Sequence, residues 1–178
     1  MTSHSYDIRK SIALVGLMGA GKTSVGKRLA PLLGMPFFDA DTEIETAAEM
    51  SIVDIFEAYG EKEFRRLEHR VIQRLLVQEP CVIATGGGAY VQDVTRETLE
   101  AGAITVWLNA EVATLGERTK GRGHRPLLNN GNHAEVLRDL KTKRDPYYAL
   151  ARVHFETHGK TDEALTAEAL LDTLKGHF

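Results

Sequence analysis

The chain has 178 residues, of which 43% are hydrophobic and 26% are charged, with a formal net charge of -3. This length fits one domain, residues 1–178, and this composition allows an ordinary hydrophobic core without a metal or disulfide staple. The negative charge argues against nucleic acid as the main partner, and the lack of a long apolar run argues against a membrane. The single cysteine, Cys81, excludes an intrachain disulfide, so we expect a monomer in the reducing cytoplasm.

Short apolar runs alternate with helical patterns along the whole chain. Strands are predicted at 11–15, 36–39, 81–85, 104–108 and 153–157. Helices are predicted at 22–33, 42–50, 51–59, 61–77, 93–100, 109–119, 134–144 and 162–175. The strands are apolar throughout rather than alternating, as in strands that are buried on both faces of a parallel sheet. The pattern therefore predicts an α/β fold, with three α/β/α layers around a five-stranded, mainly parallel sheet.

Three helix boundaries in this scheme depend on single residues. Gly60 is expected to close the helix at 51–59, because glycine readily adopts the left-handed conformation that ends a helix. Asn109 is expected to cap the helix that runs to residue 119, as short polar side chains do. The pair Asp145-Pro146 is expected to end the helix at residue 144, since the residue before proline avoids helical geometry.

A glycine-rich segment, residues 16–23, lies between the first predicted strand and the first helix. Its sequence, Gly-Leu-Met-Gly-Ala-Gly-Lys-Thr, matches the phosphate-binding pattern G-x-x-x-x-G-K-[ST]. In this pattern backbone N–H groups converge on phosphate oxygens, the lysine contacts the β- and γ-phosphates, and the threonine hydroxyl can bind Mg²⁺. The residues expected to bind the nucleotide are Gly16, Gly19, Ala20, Gly21, Lys22, Thr23 and Ser24. We expect Lys22 to lie on an exposed loop. The motif alone does not separate a kinase from an ATPase, a GTPase or a switch protein.

Six short motifs occur in one order over about 130 residues. They are Gly-Ala-Gly-Lys-Thr at 19–23, Phe-Asp-x-Asp at 38–41, Gly-Glu-x-Glu-Phe-Arg at 60–65, Gly-Gly-Gly at 86–88, Arg-Pro-Leu-Leu at 125–128 and Arg-Asp-Pro-Tyr-Tyr at 144–148. This ordered set resembles the shikimate kinases, which are P-loop proteins of the nucleoside-monophosphate-kinase-like type. The resemblance implies a P-loop kinase that uses ATP and Mg²⁺ to phosphorylate the 3-hydroxyl of shikimate in aromatic amino-acid biosynthesis.

Two aspartates follow the second predicted strand, at the edge where ligands collect in open α/β sheets. Alternate positions of an extended segment point to opposite sides, so Asp39 and Asp41 can serve different partners. The resemblance assigns Asp39 to Mg²⁺ and Asp41 to the acceptor's hydroxyls, where a carboxylate could also take a proton. Asp41 could equally be the N-cap of the following helix.

The resemblance assigns the acceptor's carboxylate to Arg65 and Arg144. A guanidinium group matches a carboxylate in bidentate fashion, which makes arginine suitable for this role. The neighbouring Arg66 is expected to form a solvated pair with a glutamate instead. Backbone contacts to the acceptor are expected from three successive glycines, which leave the chain unobstructed: Gly86, Gly87 and Gly88. Residues 40–70 are thus the expected acceptor-binding segment.

Residues 120–133 are rich in Gly, Asn, Arg and His, which predicts a mobile loop. The overlapping stretch 118–125 has four cationic side chains and no acidic one, which suits a small anionic ligand. The resemblance makes this loop a lid, with Arg125 over the phosphates and Arg118 near the adenine. Residues 157–161 show no motif that identifies adenine contacts.

The residues expected to carry the transfer itself are Lys22, Asp41 and Arg125. Two alternatives remain at this stage, namely a gluconate-kinase-like or nucleotide kinase, and a nucleotide-dependent switch protein without catalysis. An acceptor without a carboxylate would leave two arginines without a matched partner, which counts against neutral sugars. A switch protein need not retain the acceptor residues and the lid arginine together.

Overall fold

The computed structural model describes residues 8–120, 132–159 and 161–178. Within these ranges, five strands and seven helices alternate along the chain. The strands are β1 (Ser11–Val15), β2 (Phe37–Asp39), β3 (Val82–Ala84), β4 (Ala103–Ala110) and β5 (Val153–Thr157). The helices are α1 (Lys22–Leu33), α2 (Ala40–Ala48), α3 (Ile52–Leu76), α4 (Asp93–Gly102), α5 (Val112–Thr119), α6 (His133–Tyr148) and α7 (Glu163–Leu174). None of the helices in the described ranges combines the length and the apolar character needed to cross a membrane.

The five strands form one parallel sheet in the order β2-β3-β1-β4-β5. The connection from β1 runs toward the β2 edge, whereas the later connections run toward the β5 edge. Right-handed crossovers therefore place α1 on one face of the sheet and α2 to α6 on the other, while α7 packs against α1. Strands β1 and β3 are buried along their whole length. The predicted α/β/α fold with a five-stranded parallel sheet is confirmed.

Strands β1 and β3 lie side by side, although their connections leave in opposite directions. Leu14 pairs with Ala84 in the parallel register. Just beyond the pair, the backbone N–H and the hydroxyl of Thr85 both donate to the Leu14 carbonyl, at 3.1 and 2.9 Å. A crevice opens beyond the carboxyl ends of neighbouring strands whose connections diverge. The glycine-rich segments that follow β1 and β3 both enter this crevice.

A second apolar cluster holds α2 and α3 against β3. It contains Ile44 of α2, Ile55 and Phe64 of α3, and Ile83 of β3, all of them buried. Ser51 caps α3 by accepting a hydrogen bond from a backbone N–H three residues later. Gly60 interrupts the helical geometry of α3 with φ 78° and ψ 175°, which confirms a break there. The cluster fixes the two helices that carry the acceptor residues.

The prediction that Asn109 caps α5 is wrong. Asn109 is the penultimate residue of β4, and its side-chain amide donates to Glu156 on β5 at 2.8 Å. Glu111 takes the N-cap position of α5 instead. A cross-strand partner, which local sequence does not reveal, keeps Asn109 in the sheet.

The prediction that α6 ends before Pro146 is also wrong, because α6 runs to Tyr148. Proline removes only its own N–H from the helical ladder, and the N–H of Ala149 still bonds the Asp145 carbonyl at 2.9 Å. Tyr148 is fully buried. The packing of this side chain outweighs the local cost of proline in the last turn.

The helix–sheet contact can be tested at Gly26, in the middle of α1. A Cβ atom added there would lie 2.5 Å from a ring carbon of Phe37 and 3.2 Å from Leu14. Gly26→Ala should therefore lower the free energy of unfolding by about 1–2 kcal/mol, since overpacking outweighs the gain in helix propensity.

Gly116→Ala is the matched control, because this glycine lies inside α5 and an added Cβ meets nothing closer than 3.8 Å. This variant should be neutral or stabilising by up to about 1 kcal/mol. Urea unfolding of both variants measures the difference. Equal stabilities would mean that α1 does not pack on β2 as described.

Candidate active site

The glycine-rich segment after β1 forms a tight loop that ends at the first turn of α1. Gly16 has φ 140°, and a Cβ atom there would lie 2.5 Å from the Leu108 carbonyl oxygen, so only glycine fits. Gly21 occupies the N-cap position with φ 94°, and no side chain caps the helix. The first N–H groups of α1 and the positive end of its dipole therefore face the loop, as in a phosphate site. Ala20 lies buried in this loop and Ser24 in the first helical turn.

Lys22 folds back over the phosphate loop. Its ammonium group donates to the carbonyls of Gly16 and Leu17, at 2.7 and 2.8 Å. The side chain is buried, with only 9% of its surface exposed, so the prediction of an exposed lysine is wrong. The loop carbonyls that accept from the ammonium draw it inward, which holds the positive charge where β- and γ-phosphates would lie.

Thr23 and Asp39, the predicted metal residues, are in direct contact. The Thr23 hydroxyl donates to one Asp39 oxygen at 2.6 Å, and the other accepts from the backbone N–H of Asp41 at 3.0 Å. A hydroxyl and a carboxylate are the hard oxygen ligands that Mg²⁺ takes, usually alongside water and substrate phosphates. The described part of the chain contains no group of three or more His, Cys, Asp or Glu able to hold a metal. The pair therefore fits a magnesium ion held chiefly by nucleotide and water.

Arg118 on α5 connects the phosphate loop with the segment after β5. Its guanidinium donates to the carbonyls of Gly19 and Ala20 at 3.2 and 3.3 Å, and to that of His158 at 3.2 Å. The sequence shows no motif in that segment. The structure nevertheless brings residue 158 to the edge of the phosphate loop through this one arginine.

The predicted lid, 120–133, is described only at its borders. Residues 121–131, including Arg125, lie outside the described residues. At the borders, the Thr119 hydroxyl and the His133 ring form a hydrogen bond of 2.6 Å. His133 is the first residue of α6, so it does not belong to the loop.

The carboxylate of Asp41 reaches from α2 to the glycines after β3. The N-cap of α2 is Asp39, so the alternative interpretation of Asp41 as a cap is wrong. A Cβ atom at Gly86 would lie 2.9 Å from an Asp41 oxygen and 3.1 Å from Glu68 Oε2. Two carboxylates thus face the same glycine from different helices.

Arg65 on α3 lies against the last of the three glycines. A Cβ atom at Gly88 would overlap the Arg65 guanidinium, so any other residue there would displace it. Arg65 donates to Glu68 at 2.8 Å and remains 19% exposed. The neighbouring Arg66 points away and pairs with Glu63 at 2.7 Å on the surface, as the sequence predicts.

Arg144 approaches the same glycines from α6. A Cβ atom at Gly87 would lie 3.3 Å from the Arg144 guanidinium, 3.6 Å from the Met18 nitrogen and 3.8 Å from the Gly16 carbonyl oxygen. Gly87 therefore lies between an acceptor arginine and the phosphate loop. The structure brings Asp41, Arg65, Arg144 and the three glycines together beside the predicted nucleotide site.

Glu68 is a site residue that the sequence did not single out. It is fully buried beside Arg65, although local sequence only suggested a solvated partner. Its Oε2 atom and the Arg65 Nε atom are buried without a hydrogen-bond partner. The pKa of Glu68 is raised to about 7, chiefly by burial; Arg65 opposes this rise most strongly, Asp41 contributes to it, and Arg144 opposes it. The one sequence feature that could have identified Glu68 is its position three residues after Arg65, which puts both side chains on the same face of α3.

The raised pKa of Glu68 predicts a pH-dependent stability. The folded chain holds this proton more tightly than the unfolded chain, whose pKa is near the ordinary 4.5. The resulting stabilisation is complete below pH 4.5 and is lost as the pH rises through about 7. Relative to Glu68→Gln, the wild-type protein should lose roughly 3 kcal/mol of stability across this window.

Thermal or urea unfolding between pH 4 and 8 measures this difference. Glu63→Gln is the control, because Glu63 is exposed and Arg66 lowers its pKa, so this variant should not reproduce the effect. Parallel stability curves for the wild-type protein and Glu68→Gln would mean that Glu68 ionises normally.

Comparison with known proteins agrees with this geometry. The family model described as shikimate kinase matches residues 18–175. Shikimate kinases of Brucella canis and Caulobacter vibrioides are 48% and 49% identical, over 95% and 93% of this chain and 84% and 82% of theirs. The solved structure of shikimate kinase from Acinetobacter baumannii in complex with shikimate is 40% identical, with a TM-score of 0.92 over 99% of this chain and 98% of that one. The chain belongs to the shikimate kinase family.

Proposed function

We propose that this chain transfers the γ-phosphate of ATP to the 3-hydroxyl of shikimate, giving ADP and shikimate 3-phosphate in aromatic amino-acid biosynthesis. Membership of the shikimate kinase family supports this activity, which is that of an ATP-dependent phosphotransferase with an alcohol acceptor. The proposal includes a single kinase domain, residues 1–178, that acts as a cytoplasmic monomer on small molecules. Neither nucleic acid nor a membrane is part of it.

One observation carries the assignment of the acceptor site, namely the meeting of two arginines at the glycines after β3. Arg65 lies against Gly88, and Arg144 lies against Gly87. Two guanidinium groups from different helices provide the matched partner that an acceptor carboxylate requires. A neutral sugar would leave this positive charge without a partner, which disfavours neutral-sugar acceptors.

The phosphate loop orients the nucleotide for transfer. Its backbone N–H groups and the start of α1 bind the phosphates, and Lys22 places positive charge beside them. Thr23 and Asp39 would hold Mg²⁺, which, when bound, neutralises charge on the β- and γ-phosphates. Phosphoryl transfer depends mainly on positioning and electrostatic stabilisation, so these contacts supply most of what the reaction needs.

The acceptor's 3-hydroxyl oxygen forms the new bond to the γ-phosphorus while the bond to the bridging oxygen breaks and ADP departs. Asp41, across from Gly86, orients the hydroxyl and accepts its proton. Gly87 lies close to the phosphate loop, with 3.6 Å between its Cβ position and the Met18 nitrogen, which supports an arrangement with the two substrates side by side. Arg125 is proposed to cover the phosphates, and a lid arginine of this kind accelerates transfer by about 10³–10⁵ in related systems.

A coupled assay of ADP formation tests the activity directly. With ATP and Mg²⁺, turnover should require shikimate and should be absent with gluconate, neutral sugars or nucleoside monophosphates. Lys22→Met is the control for contaminating kinases, because it removes the charge beside the phosphates and should abolish most turnover. Turnover with a different acceptor, or none with shikimate, would overturn the proposed function.

The acceptor arginines give a sharper prediction. Arg65→Ala and Arg144→Ala should each weaken shikimate binding by about 2–5 kcal/mol, because each leaves the carboxylate partly unpaired. The affinity for ADP should change little. Titration calorimetry with each ligand separates the two effects.

Arg66→Ala is the matched control, because this neighbouring arginine is exposed and paired with Glu63. Its loss should leave both affinities unchanged, since surface ion pairs contribute little. If Arg65→Ala and Arg144→Ala weaken ADP and shikimate equally, these arginines belong to the nucleotide site or to the fold.

A further inference from the structure

Tyr148 is a fully buried residue at the end of α6, one turn after Arg144. Its hydroxyl donates a hydrogen bond to the carbonyl oxygen of Gly87. Its ring packs against Trp107 of β4, with 6.1 Å between the ring centroids. Residues four apart on a helix share one face, so one face of α6 presents both an acceptor arginine and a hydroxyl to the same glycine.

The three glycines after β3 need such an anchor. Without side chains they have many backbone conformations available, and fixing them costs entropy. A hydrogen bond to the Gly87 carbonyl sets the orientation of the peptide plane that joins Gly87 and Gly88. Because a trans peptide is planar, the N–H of Gly88 is then directed away from Tyr148. One hydroxyl thus determines which way a backbone donor of the acceptor site points.

A second contact fastens the same end of α6 to the other end of this loop. The Arg96 guanidinium donates to the carbonyls of Tyr90 and Val91, at 3.2 and 3.4 Å. It also lies over the ring of Tyr147, 5.4 Å from the centroid. Tyr148 therefore contacts one end of the segment 87–91 directly, and Tyr147 is connected to the other end through Arg96.

We propose that Tyr148 is a positioning residue for the acceptor, which acts by fixing the Gly87 carbonyl at a set distance from Arg144. The inference rests on the proposed function, because it assigns Tyr148 to the shikimate half of the site and not to the nucleotide half. In this role Tyr148 acts through Gly87, to which its hydroxyl donates, and not through the reacting groups themselves.

The protonation state of Tyr148 suits this role. Burial raises the pKa of Tyr148 to about 12, and Arg144 is the strongest of the groups that act the other way. Asp145 contributes to the raised pKa, and Arg65 opposes it. The hydroxyl therefore keeps its proton, and can donate it to Gly87, over the whole working range of a cytoplasmic enzyme.

Tyr148→Phe tests the inference, since it removes the hydroxyl and keeps the ring against Trp107. Losing one anchoring hydrogen bond should raise the KM and the Kd for shikimate about tenfold or more. The KM for ATP should stay within about twofold of the wild-type value, because the phosphate loop keeps its own contacts.

Tyr90→Phe is the matched control. Tyr90 is also fully buried, and its hydroxyl donates to Glu100 at 2.5 Å, outside the acceptor site. Both variants should lose comparable stability, but only Tyr148→Phe should change the KM for shikimate. A normal KM for shikimate in Tyr148→Phe would overturn the inference, as would equal increases for both substrates or an equal effect of Tyr90→Phe.

The same assays distinguish a wrong assignment of Tyr148 from a wrong assignment of the function itself. In that case the wild-type protein itself would show no turnover with shikimate, and the inference would be lost with the function. If the wild-type protein turns over shikimate, only the ratio between each variant and the wild type bears on Tyr148.

Discussion

The site depends on the pairing of β1 with β3. These two strands are neighbours in the sheet but are far apart in sequence, and Thr85 fastens their ends by donating twice to the Leu14 carbonyl. Each strand continues into a glycine-rich segment, so the phosphate loop and the acceptor glycines leave the same edge of the sheet. The closeness of Gly87 to the backbone of Gly16 and Met18 follows from this pairing. Transfer between two substrates requires that they be held side by side, and the register of two buried strands provides that geometry.

The proposed acceptor site also has to hold a partly buried arginine, Arg65, at an acceptable energetic cost. An arginine as buried as Arg65 would be costly without a counter-charge, and Glu68 provides one at 2.8 Å. The other oxygen of Glu68 has no hydrogen-bond partner, and Asp41 lies across the same glycine. With a pKa raised to about 7, Glu68 can gain or lose its proton at little cost near neutral pH. The protonation of this carboxyl group can therefore follow the charge placed beside Arg65.

The sequence predicted the strands and the glycine-rich loop from local patterns, and it predicted the residues that meet at the three glycines from their place in an ordered set of motifs. It did not predict what depends on distant packing. Asn109 stays in the sheet because of a partner on β5, and α6 continues through Pro146 because Tyr148 is buried beyond it. The burial of Glu68 also depends on distant packing, since periodicity shows which face a helical residue shares but not what lies opposite. Lys22 differs, because it is buried by carbonyls of its own loop.

The acceptor loop combines flexible residues with a fixed shape. Side chains are absent at Gly86 and Gly88 because Asp41 and Arg65 occupy the space that a Cβ atom would need. The absence of these side chains also leaves the loop backbone free to adopt many conformations, since glycine restricts its own backbone least. Neighbouring elements therefore have to fix the conformation of the loop. They do so with side chains that donate hydrogen bonds to its main-chain carbonyls. Tyr148 bonds one such carbonyl, and Arg96 bonds two others further along. Residues that anchor these carbonyls are therefore expected to influence acceptor affinity through the backbone of the loop.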